Sequence, residues 1–147
     1  MRAVLTRVKE ASVKSEGKLV SEIGQGFLVL LGVSKEDGEE ELSYVADRIS
    51  GIRIFSDSDG KMNLSPKAVN AEILLVSQFT LYADIKKRRP GFTEAAGGKE
   101  AEKLYEKLAE MLRAEGFSVK TGIFGADMDV YSVNDGPVTI IIDSEKR

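Results

Sequence analysis

Short unbroken apolar runs and two stretches of helical periodicity divide this chain. Residues 26–33 and 73–77 are apolar runs bounded by glycine or polar residues and fit no amphipathic period, so they predict buried strands. Leu42, Val45, Ala46 and Ile49 recur at helical spacing over 39–50, with Glu39-Glu40-Glu41 at the end where the helix dipole favours acids. A longer helix is predicted from Ala101, Leu104, Tyr105, Leu108, Met111 and Leu112, opened by Gly97-Gly98 and stopped at Gly116. Residues 2–8 alternate loosely and predict a first strand, while 11–14 and 19–23 flank a turn at Ser15-Glu16-Gly17-Lys18. Residues 52–55 and 61–64 flank Asp57-Ser58-Asp59-Gly60, and 117–121 predict a further strand. Val130 to Val133 and Val138 to Ile142 predict a final hairpin. The expected class is α+β, one domain over 1–147, without repeats or linkers.

Composition narrows the chemistry more than the fold. There is no cysteine and no histidine among the 147 residues. Disulfides, thiol nucleophiles, Cys-based zinc sites and any Ser-His-Asp triad are therefore excluded. Catalysis would have to use hydroxyls, carboxylates, lysines, backbone dipoles or a group carried by the substrate. The net charge of −3 argues against wholesale coating by nucleic acid but leaves room for a local basic patch. No apolar run is long enough to cross a bilayer, and Arg7 and Lys9 interrupt the first one, so a cytoplasmic protein is expected.

Three stretches could carry chemistry. Ser77-Gln78 follows four apolar residues, as a hydrogen-bonded strand end would and as a site would. Lys86-Lys87-Arg88-Arg89 is the only concentrated positive patch, with Phe92 close by; such runs are usually solvated faces. In Asn134-Asp135-Gly136-Pro137 the proline removes a ladder donor and restricts Gly136, which leaves both an edge-strand proline and a rigid pair of ligand-facing carbonyls open. Gly24-Gln25-Gly26 lacks a third glycine and a following helix, so it is no dinucleotide loop. Asp57 to Gly60 has Phe55 and Pro66 where a calcium loop needs acids. Asp127 and Asp129 are expected on one strand face as exposed acids rather than as an acid–base pair.

Taken together, Arg2-Ala3-Val4 with Arg7-Val8, Gly60 to Ser65, Ser77-Gln78-Phe79-Thr80-Leu81-Tyr82-Ala83-Asp84, Phe124 to Met128 and the segment 134–139 make the chain resemble the D-aminoacyl-tRNA deacylase family over its whole length. It departs from the family pattern in the loop 85–92, which is a residue shorter than usual. The resemblance implies antiparallel strands in a barrel-like core flanked by two main helices, working as a homodimer. It also implies a cis Gly136-Pro137 unit inserted from one subunit into the pocket of the other and steadied by Arg7. The expected catalytic segment is Ser77, Gln78, Phe79 and Thr80, with Gly136, Pro137, Arg7, Ala126 and Met128 on the substrate. Lys86, Lys87, Arg88 and Arg89 are expected on tRNA.

The implied substrates are D-aminoacyl-tRNA and glycyl-tRNA, with no metal, no cofactor, no membrane and no DNA. Two stiff carbonyls would turn away an L side chain, and the ribose 2′-hydroxyl would help activate water. That suits a chain without imidazole. Main-chain N–H groups near Phe79 and Thr80 would face the oxyanion, and Thr80, which has no base to activate it, would position rather than attack. A non-catalytic RNA-binding dimer and a tRNA-independent esterase using Ser77 or Thr80 are the rival readings.

Overall fold

The computed structural model describes residues 1–147. Its centre is β1 (Arg2–Ser15), a single strand that joins the two short ones predicted at 2–8 and 11–14. Glu16 and Gly17, both at positive φ, turn it into β2 (Lys18–Ile23), and β3 (Gly26–Gly32) returns beside the first half of β1. Then follow α1 (Glu39–Gly51), the small hairpin β4 (Phe55–Ser56) and β5 (Met62–Leu64), β6 (Glu72–Ser77), α2 (Gly98–Ala114), β7 (Val119–Thr121) and β8 (Asp129–Asp143). The main sheet runs β2-β1-β3-β6-β7, with β8 also paired to β1. It is mixed: β3, β6 and β7 are parallel, whereas β1 is antiparallel to all its partners. Cross-connections from β2 curl this sheet nearly into a barrel. Ser21 Oγ donates to Thr121 O at 2.7 Å, and Lys120 Nζ donates to Glu22 O at 2.8 Å.

Two cores explain the continuous apolar runs of β3 and β6, because both strands are buried on both faces. Phe27, Val29, Leu31, Ile73 and Leu75 face the helices, meeting Leu42, Val45 and Ile49 of α1 and Tyr105, Leu108 and Leu112 of α2. Leu28, Leu74 and Val76 point the other way, into a smaller cluster with Val8, Ala11, Val13 and Ile23 inside the curled sheet. The β3–β6 pairing is close enough to require glycine, since a Cβ on Gly26 would lie 1.8 Å from Glu72 O. The Asp57 turn is a hairpin, as expected. The Asp57 carboxylate accepts the Lys61 and Asp59 N–H groups, which hold it below the usual carboxylate range.

The expected final hairpin is absent. Both apolar runs pair with the same partner, so they lie end to end as one 15-residue strand, β8. Tertiary pairing with the long β1 overrides the local turn signal of Asp135-Gly136, because Pro137 has no N–H to close a two-residue hairpin. The ladder breaks around that dipeptide. Thr139 faces Thr6 and Asn134 faces Val8, so β8 advances five residues where β1 advances two, and residues 135–138 bulge out opposite Arg7.

Tyr105 ties α2 to the sheet by donating its hydroxyl hydrogen to Leu75 O at 2.8 Å. Burial raises this hydroxyl to about 12, so the folded state holds the proton more tightly than the unfolded chain does. Stability is then fully present below about pH 10, the unfolded tyrosine value, and is lost as pH rises toward about 12. Urea midpoints should be flat to about pH 9 and fall above about pH 10. A Tyr105→Phe variant should lose part of that slope.

Candidate active site

Three parallel strands end on one side of the sheet, and the segments leaving β3, β6 and β7 build a cleft there. At the end of β6, Gln78 donates its N–H to Leu31 O at 2.7 Å, and the chain then coils into a 3-10 turn, Phe79–Tyr82. Gly32 makes room for this turn, because a Cβ there would lie 2.9 Å from Leu81 Cβ and 3.1 Å from Gln78 O. Phe79 and Thr80 open the turn, where N–H groups have no partner within the helix. Phe79 is 54% exposed and packs edge-on against Phe92, with ring centroids 5.0 Å apart. Gln78 Nε2 donates to the Thr80 hydroxyl. Burial pushes the Tyr82 hydroxyl above its ordinary value, reinforced by the nearby Asp37 and Glu145 carboxylates.

The cleft has a volume of about 480 Å³. It gathers Ser77, Gln78 and Phe79 with Ala126 and Met128, all of them singled out from the sequence. It also takes lining from Val33, Phe124, Asp127 and, at the start of α2, Ala96, Gly98 and Ala101, which sequence reasoning missed as site residues. Only Phe124 and Asp127 carried a signal, being part of the segment 124–128. Gly122 sets the position of Met128: a Cβ there would lie 2.6 Å from Met128 Sδ, and that sulfur accepts the Ile123 N–H at 3.4 Å. Thr80 is exposed and stands outside the lining. Asp127 and Asp129 do not share a strand face, since Asp127 precedes β8 and its carbonyl accepts the Ser15 hydroxyl at 2.9 Å.

The other expected substrate residues lie elsewhere in the chain. Gly136 and Pro137 are exposed and do not line the cleft, and the peptide bond joining them is cis. Gly136 sits at φ +129, where a Cβ would come within 2.8 Å of Val138 N and 3.2 Å of Arg7 Nη2. Arg7 is only 8% exposed. Its Nε donates to Asp135 O at 3.1 Å and lies 3.3 Å from Asp135 Oδ2, while Nη1 donates to Ile54 O at 2.5 Å. Around this bulge β8 presents Val130, Tyr131, Val133 and Ile141 to solvent, and its outer edge pairs with nothing in the chain.

The basic run forms a loop closed at its base. Asp84 and Gly91 exchange two main-chain hydrogen bonds of 2.8 and 2.9 Å, and Lys86 N–H donates to Asp84 Oδ1 at 2.9 Å. Lys86, Lys87, Arg88 and Arg89 are all exposed, and none is ion-paired. No helix is long and apolar enough to cross a membrane.

Similar proteins give this arrangement its context. A chain from Thermotoga petrophila named D-aminoacyl-tRNA deacylase is 55% identical over 147 residues, covering 99% of both chains. One of the same name from Dictyoglomus turgidum is 54% identical, over 99% of this chain and 94% of its own. A solved structure titled c-Myc DNA Unwinding Element Binding Protein superposes with a TM-score of 0.92 at 42% identity, over 97% of this chain and 98% of the other. A probable eukaryotic D-amino acid tRNA deacylase shares the fold, with a TM-score of 0.81 at 18% identity, over 96% and 97% of the two chains. Fold and relatives place the protein among α+β hydrolases acting on ester bonds. Residues 4–143 match the model of D-Tyr-tRNA(Tyr) deacylase, and the chain belongs to that family.

Replacing Arg7 by Met should leave the Asp135 and Ile54 carbonyls without their buried charged donor. Urea unfolding should show a loss of about 3 kcal/mol.

Proposed function

We propose that the protein hydrolyses the ester between a D-amino acid and the terminal ribose of tRNA, acting in the cytoplasm as a homodimer. The observation that supports this most is the gathering of Ser77, Gln78, Phe79, Ala126 and Met128 in one cleft that contains neither Gly136 nor Pro137. That division suits a site completed by a second copy. The Gly136-Pro137 bulge of one subunit would enter the cleft of its partner, and the exposed Val130, Tyr131, Val133 and Ile141 supply apolar surface for the interface. The Gly136 and Pro137 carbonyls would then stand where an L side chain points, rejecting it by sterics and admitting a D side chain or the bare hydrogen of glycine.

In this reading the Phe79 and Thr80 N–H groups stabilise the oxyanion that forms as water attacks the ester carbonyl. The substrate's own 2′-hydroxyl assists the water, since no imidazole is available. The Gln78 amide fixes the Thr80 hydroxyl, which orients the ester. Lys86, Lys87, Arg88 and Arg89, free of carboxylates, neutralise backbone phosphates of the tRNA.

Release assays with D-tyrosyl-, L-tyrosyl- and glycyl-tRNA test the reading. The D and glycyl esters should be cleaved and the L ester spared; equal rates on both enantiomers, or RNA binding without turnover, would refute it. Gly136→Ala should cut D-tyrosyl-tRNA hydrolysis by about 100-fold, because alanine cannot hold φ +129 against Val138 and Arg7 without moving the bulge. In the same assay Thr80→Ala should stay partly active; complete loss with tRNA binding intact would make Thr80 a nucleophile. Replacing the four loop cations by Gln should weaken tRNA binding and flatten its log–log salt dependence by about 3.

A further inference from the structure

Tyr82 buries the rear of the 3-10 turn, but Phe79 and Thr80, which open it, are poorly anchored by their own side chains. Phe79 is 54% exposed and Thr80 is exposed, so packing alone does not fix their N–H groups. At the front, Gln78 N–H is tied to Leu31 O at 2.7 Å. The rear tether comes from the far end of the chain: Arg2 Nη1 donates to Leu81 O at 3.1 Å, and its guanidinium lies 4.5 Å over the centre of the Tyr82 ring.

Arg2 is itself aimed by partners across the β1–β8 ladder. Its Nε donates to Asp143 Oδ2 at 3.1 Å and its Nη2 to Glu145 Oε2 at 3.3 Å, so each guanidinium nitrogen has one acceptor. Asp143, 8% exposed on its side chain, sits directly opposite Arg2 in register. The Tyr82 hydroxyl, by contrast, has no hydrogen-bond partner, so its ring is held by packing and by the cation above it. Arg2 lies outside the cleft, and its hydrogen bonds and cation–π contact go to none of the lining residues.

We infer that Arg2 is a positioning residue for hydrolysis, holding the Phe79–Tyr82 turn from behind so that the N–H groups of Phe79 and Thr80 face the cleft. This rests on the catalytic reading given above. The alternative is an ion pair that only stabilises the fold. Of its two ion pairs, the one with the exposed Glu145 adds little stability, whereas the one with Asp143, whose side chain is 8% exposed, also supports the fold. Displacing a catalytic group by about 1 Å costs about 100-fold in rate, so the positioning effect dominates.

Arg2→Met and Arg147→Met separate the two roles. Arg147 carries a comparably exposed pair, with Glu40 and Glu41, and makes no hydrogen bond or ion pair to the turn. On D-tyrosyl-tRNA, Arg2→Met should lower kcat by about 100-fold with KM unchanged. Arg147→Met should match the unsubstituted protein, and Arg2→Lys should recover part of the loss. The amide NMR signals of Phe79 and Thr80 should shift in Arg2→Met and stay in place in Arg147→Met. Equal kcat in the two Met variants, or unmoved amide signals, would overturn the inference. Should Arg2→Met fail to fold, Asp143→Asn loosens the same guanidinium and should move the same two signals, their constancy counting against the inference. If the unsubstituted protein leaves D-tyrosyl-tRNA intact, the catalytic reading falls, and the amide signals alone decide whether Arg2 holds the turn.

Discussion

A strand that pairs on both sides of an interruption must satisfy the polar groups that the interruption frees. In β8 that demand falls opposite Arg7, where residues 135–138 leave the ladder. A lost pairing inside a sheet would strand buried carbonyls, and the guanidinium replaces it with charged donors to Asp135 O and Ile54 O. One buried arginine thus links β1, the approach to β4 and the bulge of β8. Because its planar fork fixes several directions at once, lysine would be a poor substitute. The arginine reaches the base of the exposed Gly136-Pro137 dipeptide through the carbonyl of the residue just before it.

The second organising feature is the parallel trio β3, β6 and β7. Parallel strands deliver their carboxyl ends to one side, where outgoing segments diverge and leave a crevice. Here the diverging segments are the 3-10 turn after β6, the approach to α2 and the glycine-rich stretch after β7. Glycines at 32 and 122 permit the close approaches that shape this end, at the turn and at Met128 respectively. The cleft is therefore a product of sheet topology first and of side-chain chemistry second.

Local patterning carried much of the fold. Both helices, β3, β6 and the Gly116 stop followed from periodicity and turn chemistry, since these depend on neighbours in sequence. What stayed hidden depends on partners far along the chain. The merging of 130–133 with 138–142 into one strand needed knowledge of β1's length, and parallel pairing of β3 with β6 leaves no signature in an apolar run buried on both faces. In the candidate site, the segments 77–80 and 124–128 stood out through a motif resemblance. The lining from Ala96 and Gly98 did not, because small residues at a helix start look like any cap. Arg2 was visible only as part of a motif. Its contacts with Leu81 and Tyr82 span most of the sequence between them.

The base of the cationic loop has an evolutionary corollary. Asp84 and Gly91 clasp each other through their main chains, so the intervening six positions form a loop closed at its base, downstream of the 3-10 turn. Insertions, deletions or swapped charges between the clasped residues leave the main-chain bonds at the base of the loop in place. Under the reading proposed above, contacts to nucleic acid can drift there while the cleft stays constant.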